Sequence, residues 1–387
     1  MQLVKLKEVV MRVKDKIDKD STNLEYYIGG EHIDSGELCI TRKGKIEGST
    51  IGPAFHMHFM PGDVLLMSRN PHLKKAGVVD FEGICSDVSY ICRTKNDEIL
   101  SQRYLPFIFQ TDHFWQFVEE NKKGGLPFFL NWSDFEKYEF PLPSIEKQRE
   151  LADLLWAAQN TKLSYIELLK QTEELVKSQF IEMFGDCISN EKGWPSRKLY
   201  EVLAEGRTVT YGIVQTEDDT PDGVPVFRPI DISQGHVPVR SELKRTKKEI
   251  SDKYKRTLLT GHELLITVRG SIGETFQITK EFEGCNVARN IVPLVTNKEI
   301  LNQGFLKAIL DSPAFQARLG ELTKGVALKG INMNEFKMCP IILPPLNLQE
   351  KWVAFSERSD KSKFEIKKAI ENINVMMKSL IEQNYNK

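Results

Sequence analysis

Apolar residues at Leu151, Leu155, Ala158, Tyr165, Leu169, Leu175, Phe180 and Met183 fall close to a three-and-four spacing, with no proline or glycine between Ser144 and Gly185. That pattern predicts one long amphipathic helix. A second stripe, Ile366, Ile370, Ile373, Met377 and Leu380, follows a more polar start and predicts another. Each helix would run for about 40 residues, or about 60 Å at 1.5 Å per residue. A helix of that length with one apolar face needs a partner, and the other copy is the obvious one. The two are therefore expected to pair as an antiparallel coiled coil that holds two globular halves apart. Inside each half, short apolar runs at 64–67, 88–92, 264–268 and 291–295 read as strands between Gly and Pro punctuation. Residues 102–120 and 301–322 read as helices, the second carrying Phe305, Ile309, Phe315 and Leu319 near helical spacing. The fold class expected is α+β or α/β, with the strand order open.

The pattern occurs twice. Asn131, Phe135, Pro143 and Gln148 recur as Asn332, Phe336, Pro344 and Gln349, each 201 positions later, and each copy runs into a long helix. Gly124 pairs with Gly325, and Phe81-Glu82-Gly83 with Phe282-Glu283-Gly284, at the same offset. Upstream, PGDVLL at 61–66 resembles TGHELL at 260–265 at offset 199, as Gly36 does Gly235, and KLKEV at 5–9 matches KLYEV at 198–202 at offset 193. Drift in small steps is the mark of insertions in surface loops of a duplicated domain, and a period near 200 excludes a short solenoid repeat. The boundaries expected are residues 1–143 for the first globular domain, 144–186 for the central helix, 187–343 for the second domain and 344–387 for the last helix.

With 387 residues there is room for two or three domains, each with its own core. A hydrophobic content of 41% and a charged content of 28% are ordinary for a globular protein. No stretch approaches the roughly 18 apolar residues of a membrane span, and the N-terminal residues lack an apolar core with a cleavage site, so no membrane is expected and a cytoplasmic location is. The six cysteines form no CxxC pair, which points to reduced thiols instead of a zinc ribbon or a disulfide framework. Net charge is −1 from 53 basic and 54 acidic residues, which argues against a nonspecific nucleic-acid coat. Its distribution is uneven: residues 238–256 hold eight Lys or Arg against three acids, while 144–186 hold five against eight.

GxGxxG, GxxxxGK[ST], GxSxG and HExxH are all missing. His56 and His58 at i and i+2 supply too few ligands for a metal site, so no metal is expected. One nuclease-like pattern occurs, Asp222 followed by Glu242 and Lys244, in which two carboxylates would hold Mg²⁺ and the lysine would polarise water. Thr220-Pro221-Asp222-Gly223 reads more readily as a β-turn, and Glu242 lies in a basic segment where an ExK triplet arises by chance. A self-contained nuclease and a coiled-coil adaptor that binds only protein stand as alternatives.

Chemistry suited to DNA is better represented. Arg42, Lys43 and Lys45 in the first half, and Lys244, Arg245, Lys247 and Lys248 in the second, lie in roughly equivalent loops where cations suit phosphate contacts. Ser68-Arg69-Asn70 with Lys74 and Lys75, and Arg269-Gly270-Ser271, end the strand-like runs and carry the side chains that match base edges. Glycine-bearing loops with lysine follow at 122–131 (KKGGLPFFLN) and 323–332 (TKGVALKGIN), the latter including Lys329.

PLPSIEKQRELADLL from Pro141, LPPLNLQEKWVAF from Leu343, KSQFIEMFGD from Lys177, YGIVQ from Tyr211 and VPVFRPIDISQG from Val224 together resemble the specificity subunit of type I restriction-modification enzymes. The resemblance covers essentially the whole chain. It implies a noncatalytic subunit with two target-recognition domains, each reading half of a bipartite sequence in double-stranded DNA, and helices that set the gap. Partner methyltransferase subunits would use S-adenosylmethionine, a restriction subunit with ATP and Mg²⁺ could join, and this chain itself would bind no cofactor. Leu151, Leu155, Leu169, Phe180, Ile366, Ile373 and Met377 are the helix residues expected to serve partner docking. The second helix begins with Trp352, Ser356 and Ser359 where the first is more apolar, which implies a looser pairing at that end.

Overall fold

The computed structural model describes residues 2–19, 22–217, 219–233, 238–323 and 330–385, with the side chains of 384 and 385 left aside. It divides into two compact units, Met1–Glu167 with Ile366–Lys387, and Leu168–Glu365. The first unit contains strands β1 (Gln2–Lys5), β2 (Val10–Val13), β3 (Tyr26–Ile28), β4 (Gly44–Lys45), β5 (Phe55–Phe59), β6 (Val64–Met67), β7 (Ala76–Val78), β8 (Gly83–Ser86), β9 (Ser89–Thr94) and β10 (Glu139–Leu142). They form one sheet of order β2-β9-β6-β7, a second of order β4-β3-β8-β5, and the pair β1-β10.

β6 is buried at all four positions, and its side chains alternate between two cores. Val64 and Leu66 pack with Leu105, Phe107 and Phe114 on one face. Leu65 and Met67 pack with Ile28, Met57 and Phe59 of the other sheet. Period-two geometry thus turns an unbroken apolar run into the shared wall of two cores.

The second unit repeats this on a reduced scale, with β11 (Ser196–Lys198), β12 (Val224–Phe227), β13 (Arg245–Thr246), β14 (Leu264–Thr267), β15 (Thr275–Gln277), β16 (Asn286–Val287), β17 (Ile291–Leu294) and β18 (Pro340–Ile342). β14 lies between β15 and β17, and β12 between β13 and β16. β12 runs parallel to β16 as β3 does to β8, and β18 closes on β11 as β10 does on β1. Leu264 and Ile266 face the helical core while Leu265 faces the sheet core. The match of PGDVLL to TGHELL at offset 199 is therefore corrected. Equivalent faces require offset 200, Val64 with Leu264, because a slip of one residue would exchange the two sides of the strand. Gly62 (φ 91°) and Gly261 (φ 87°) keep the 199 spacing, so the extra residue sits between glycine and strand.

The expected single helices at 102–120 and 301–322 are each broken. Leu105–Ile108 and Asp112–Asn121 meet at Thr111, whose hydroxyl accepts from Phe114 N. Gln303–Asp311 and Pro313–Glu321 meet at Ser312, which accepts from Phe315 N. The capping hydroxyl turns the chain, and Pro313 starts the next helix where its missing N–H is harmless.

The long helices are Ile145–Phe184 and Leu346–Tyr385, each of 40 residues as the stripes predict. The division between units falls inside them instead of at their ends. Leu151, Leu155 and Ala158 join Met377, Ile373 and Leu380 in the helical core of the first unit. In the second unit Phe180 meets Trp352 with ring centroids 5.3 Å apart, so there the end of one helix lies against the start of the other, in antiparallel sense.

The repeated glutamine explains why each helix begins where it does. Gln148 is fully buried, accepts from Ser101 N at 2.9 Å and donates to Ile99 O and Pro143 O, both at 2.9 Å. Gln349 accepts from Asn302 N at 2.8 Å and donates to Ile300 O at 3.1 Å and Pro344 O at 2.7 Å. One side chain per unit ties the helix start to the loop after β9 or β17.

Candidate nucleic-acid interface

In the first unit, two segments that are far apart in sequence meet as neighbours. Ser68-Arg69-Asn70 leaves β6 and lies alongside the loop at 122–131: Leu130 N donates to Ser68 O and Asn70 N to Phe128 O, both at 2.8 Å. The loop is closed on itself by Lys123 N to Phe129 O (2.7 Å) and Phe129 N to Lys123 O (2.9 Å). Gly124 adopts φ 84°, a turn conformation that a side chain would strain. The Arg69 guanidinium lies 5.4 Å from the Phe129 ring centroid, and Lys122 Nζ lies 4.5 Å from that of Phe128.

The three residues of that turn differ in role. Ser68 is buried and donates to Val88 O at 2.6 Å, so it pins the strand end instead of facing solvent. Arg69 is exposed. Asn70 is left-handed (φ 51°), and its Oδ1 is shielded without a hydrogen-bond partner among the described residues. Lys74 is exposed, and Lys75 donates to Gly30 O. Lys123 (2.5 Å) and Lys137 (3.0 Å) both reach Asp134, and these two ammonium groups hold its carboxyl down at about 2.

The second unit places Arg269 in the same relation, bridged to Gly330, with Ile331 N donating to Val268 O at 2.9 Å. Thr267 Oγ1 donates to Ser271 O, so the turn is shaped by the threonine hydroxyl against the Ser271 carbonyl. Lys329 lies outside the described residues.

Five of the other candidate cations, Arg42, Lys43, Lys45, Arg245 and Lys247, already have partners. Arg42 binds Asp34 through Nε at 3.1 Å and through NH2. Lys43 Nζ sits 3.6 Å from the Tyr26 ring centroid and 4.4 Å from that of Phe81, and Lys45 lies 3.8 Å from Glu25. Across the duplication, Lys247 pairs with Glu217 at 3.1 Å, and Arg245, on β13, reaches Gly223 O at 3.2 Å. Lys244 is half-buried and Lys248 exposed.

Four of the residues expected to dock partners are buried at home. Leu151, Leu155 and Met377 belong to the helical core of the first unit and Phe180 to that of the second. In this structure they face the cores of their own units. Leu169, Ile366 and Ile373 are half-buried. The exposed large apolar residues of the same helices include Leu154, Leu175, Ile181, Phe364, Val375 and Met376. An apolar stripe in sequence marks the face that is buried, not the face that is offered.

Among the described residues, no three or more His, Cys, Asp or Glu gather as a ligand set, and Asp222 and Glu242 are both exposed. No helix among them is long and apolar enough to cross a membrane. What the sequence missed is the aromatic backing of the loops, Phe128 and Phe129. The signal was present as two aromatics after a Gly-Gly-Leu-Pro turn beside lysines.

Residues 191–374 match the type I restriction modification DNA specificity domain. The specificity subunit of the type I restriction enzyme EcoBI from Escherichia coli is 27% identical over 222 residues, 56% of this chain and 46% of that protein. The chain thus spans about half the length of that curated relative. A solved chain from work on the assembly and conformational transition of a type I restriction-modification system aligns over 99% of this chain and 97% of its own, with TM-score 0.55 and 21% identity. The S subunit of such a system from M. genitalium aligns over 99% and 96% with TM-score 0.60 and 11% identity. At those identities the likeness is one of fold. The chain is thus similar to the type I restriction-modification specificity subunits, and its match to the family's DNA specificity domain is confined to residues 191–374.

Proposed function

We propose that this chain is the DNA sequence-recognition subunit of a type I restriction-modification system, with each globular part reading one half of a bipartite target. The observation that carries the reading is the paired construction of the loops. In both units an arginine after the central strand, Arg69 or Arg269, is bridged to a second loop that leads into the next short helix. An Arg side chain can bind guanine N7 and O6 bidentately, and the neighbouring cations can position the duplex through phosphates. The recognition domains proposed are 1–143 and 187–343, with the helical segments 144–186 and 344–387 setting the gap between half-sites. Two half-sites must be met in rotational phase, about 34 Å per turn of DNA, and long helices suit that task.

The chain supplies placement, not chemistry. Methyltransferase subunits would bring S-adenosylmethionine and take the target base out of the stack, and a restriction subunit would bring ATP and Mg²⁺. Methylome sequencing of cells with and without this chain, partner subunits expressed, should reveal a bipartite methylated motif that depends on it. Finding no such motif would sink the reading.

A further inference from the structure

The tip of the loop at 122–131 presents an apolar side chain to water on a fixed stem. Leu126 is 86% exposed, more than any other large apolar residue described. A single exposed leucine is unremarkable by itself. Here the surroundings differ. The stem is fixed by four main-chain hydrogen bonds: the two that join Lys123 and Phe129, Leu130 N to Ser68 O, and Asn70 N to Phe128 O. Phe129 (36%) is exposed on it, Phe128 packs against His72 with ring centroids 5.9 Å apart, and Leu73 (42%), next in sequence to His72, is exposed. Arg69 and Lys122 lie over the rings of Phe129 and Phe128, and Lys74 is exposed next to Leu73. An apolar point on a stiff stem, rimmed by cations, matches the wedge with which DNA-bending proteins part a base step while Lys and Arg hold the flanking phosphates.

We propose that Leu126 enters duplex DNA as such a wedge, unstacking one base step within the half-site read by the first unit. The proposal rests on the DNA-reading function above. In sequence, residues 323–328 of the second half read TKGVAL where this loop has KKGGLP at 122–127, with Ala327 at the position of Leu126. Gly124 and Gly125 before the leucine, and Pro127 after it, leave the tip slim enough to enter a groove.

The test uses the chain assembled with its methyltransferase subunits and a duplex carrying the motif found by methylome sequencing, with 2-aminopurine placed in turn at each motif position. On binding, wild type should raise the emission at a step away from the methylated adenine. Leu126→Ala should abolish that rise and weaken binding about tenfold, or about 1.4 kcal/mol. An abasic site at the same step, already unstacked, should restore the variant to within about twofold of wild type. An unchanged thermal melt would show that the exposed substitution leaves the fold intact. Equal emission and affinity for variant and wild type would overturn the proposal. So would loss of methylation with DNA binding intact, which would assign Leu126 to a protein contact. Should wild type itself direct no methylated motif, the function reading fails and this proposal falls with it.

Discussion

Replacing Gln148 by alanine should destabilise the first unit severely although the residue touches no ligand. The side chain is fully buried and makes three hydrogen bonds, all to main chain. Its loss leaves Ser101 N–H and the carbonyls of Ile99 and Pro143 without a partner in a region closed to water. A stranded buried polar group costs about 1–3 kcal/mol, carbonyls at the lower end, so the three together come to about 4 kcal/mol. For a unit of 167 + 22 = 189 residues, 4 kcal/mol corresponds to a fall in Tm of about 8–16 °C. Gln349→Ala should act alike on the second unit, because its three partners are equivalent. The control is Gln159→Ala: Gln159 is also buried, but its described bond is a long one, 3.6 Å to Cys39 Sγ. Urea unfolding followed by tryptophan fluorescence reads all three. A cost below about 1 kcal/mol for Gln148→Ala, or one equal to that of Gln159→Ala, would refute the reasoning.

Other predictions concern charge and modularity. His58 bonds Asp15 through Nδ1 and Glu82 through Nε2, each at 2.8 Å; burial opposes its protonation, but the two carboxylates prevail and raise its pKa. Its stabilisation is thus complete below the unfolded value of 6.5 and is lost as pH rises through the folded value. Thermal melts across pH 5.5 to 8.5 should show that loss, and His58→Gln should flatten it. Glu263 is the opposite case: burial opposes ionisation, yet bonds from Thr260 and the main chain of Thr260 and His262 keep its pKa low. Its contribution is present above the usual glutamate range and is lost as pH falls through the lower folded value, and acid unfolding of Glu263→Gln should lack that component. Asp34→Asn frees Arg42 and should strengthen DNA binding by the assembled complex about threefold, the scale of an exposed ion pair, with a steeper salt dependence in anisotropy titrations. Exchanging residues 193–343 for those of another family member should change one half of the methylated motif and keep the other, and sequencing an unchanged motif would contradict the modular reading.

The parts of the fold legible in sequence are those governed by one periodicity. The long helices and the strands at 64–67 and 264–267 fall where apolar spacing places them. The breaks at Thr111 and Ser312 were hidden because each cap sits within an apolar pattern that continues on both sides. The offset error at β14 had a related cause: two adjacent leucines align equally well in either register, and only the opposed cores distinguish them. Among the candidate cations, sequence found the loops but not the partners. Asp34 lies eight residues from Arg42, whereas Tyr26 and Phe81 reach Lys43 from either side in sequence, and no local rule anticipates that cage.

The two units agree where each is self-contained and differ where each meets solvent. Asp63 and Glu263 occupy the same structural position, and both are buried. Asp63 accepts from Met60 N and from Arg93 at 2.7 and 2.8 Å, while Glu263 accepts from Thr260, Gly261 and His262 N and from Arg207. The second unit has one more residue between the turn glycine and the strand, and the longer carboxylate there still gathers the N–H groups of the turn. A loop change was thus absorbed by a single methylene while the strand kept its register. The glutamine lock is equivalent in the two units, and its described bonds go only to main chain of its own unit, to residues outside loop 122–131 and its partners. Sites with no shared partner contribute additively to stability. Loops such as 122–131 can therefore change without loosening the joint between globular part and helix, which under the proposed function is the condition that would let one scaffold carry different half-site specificities.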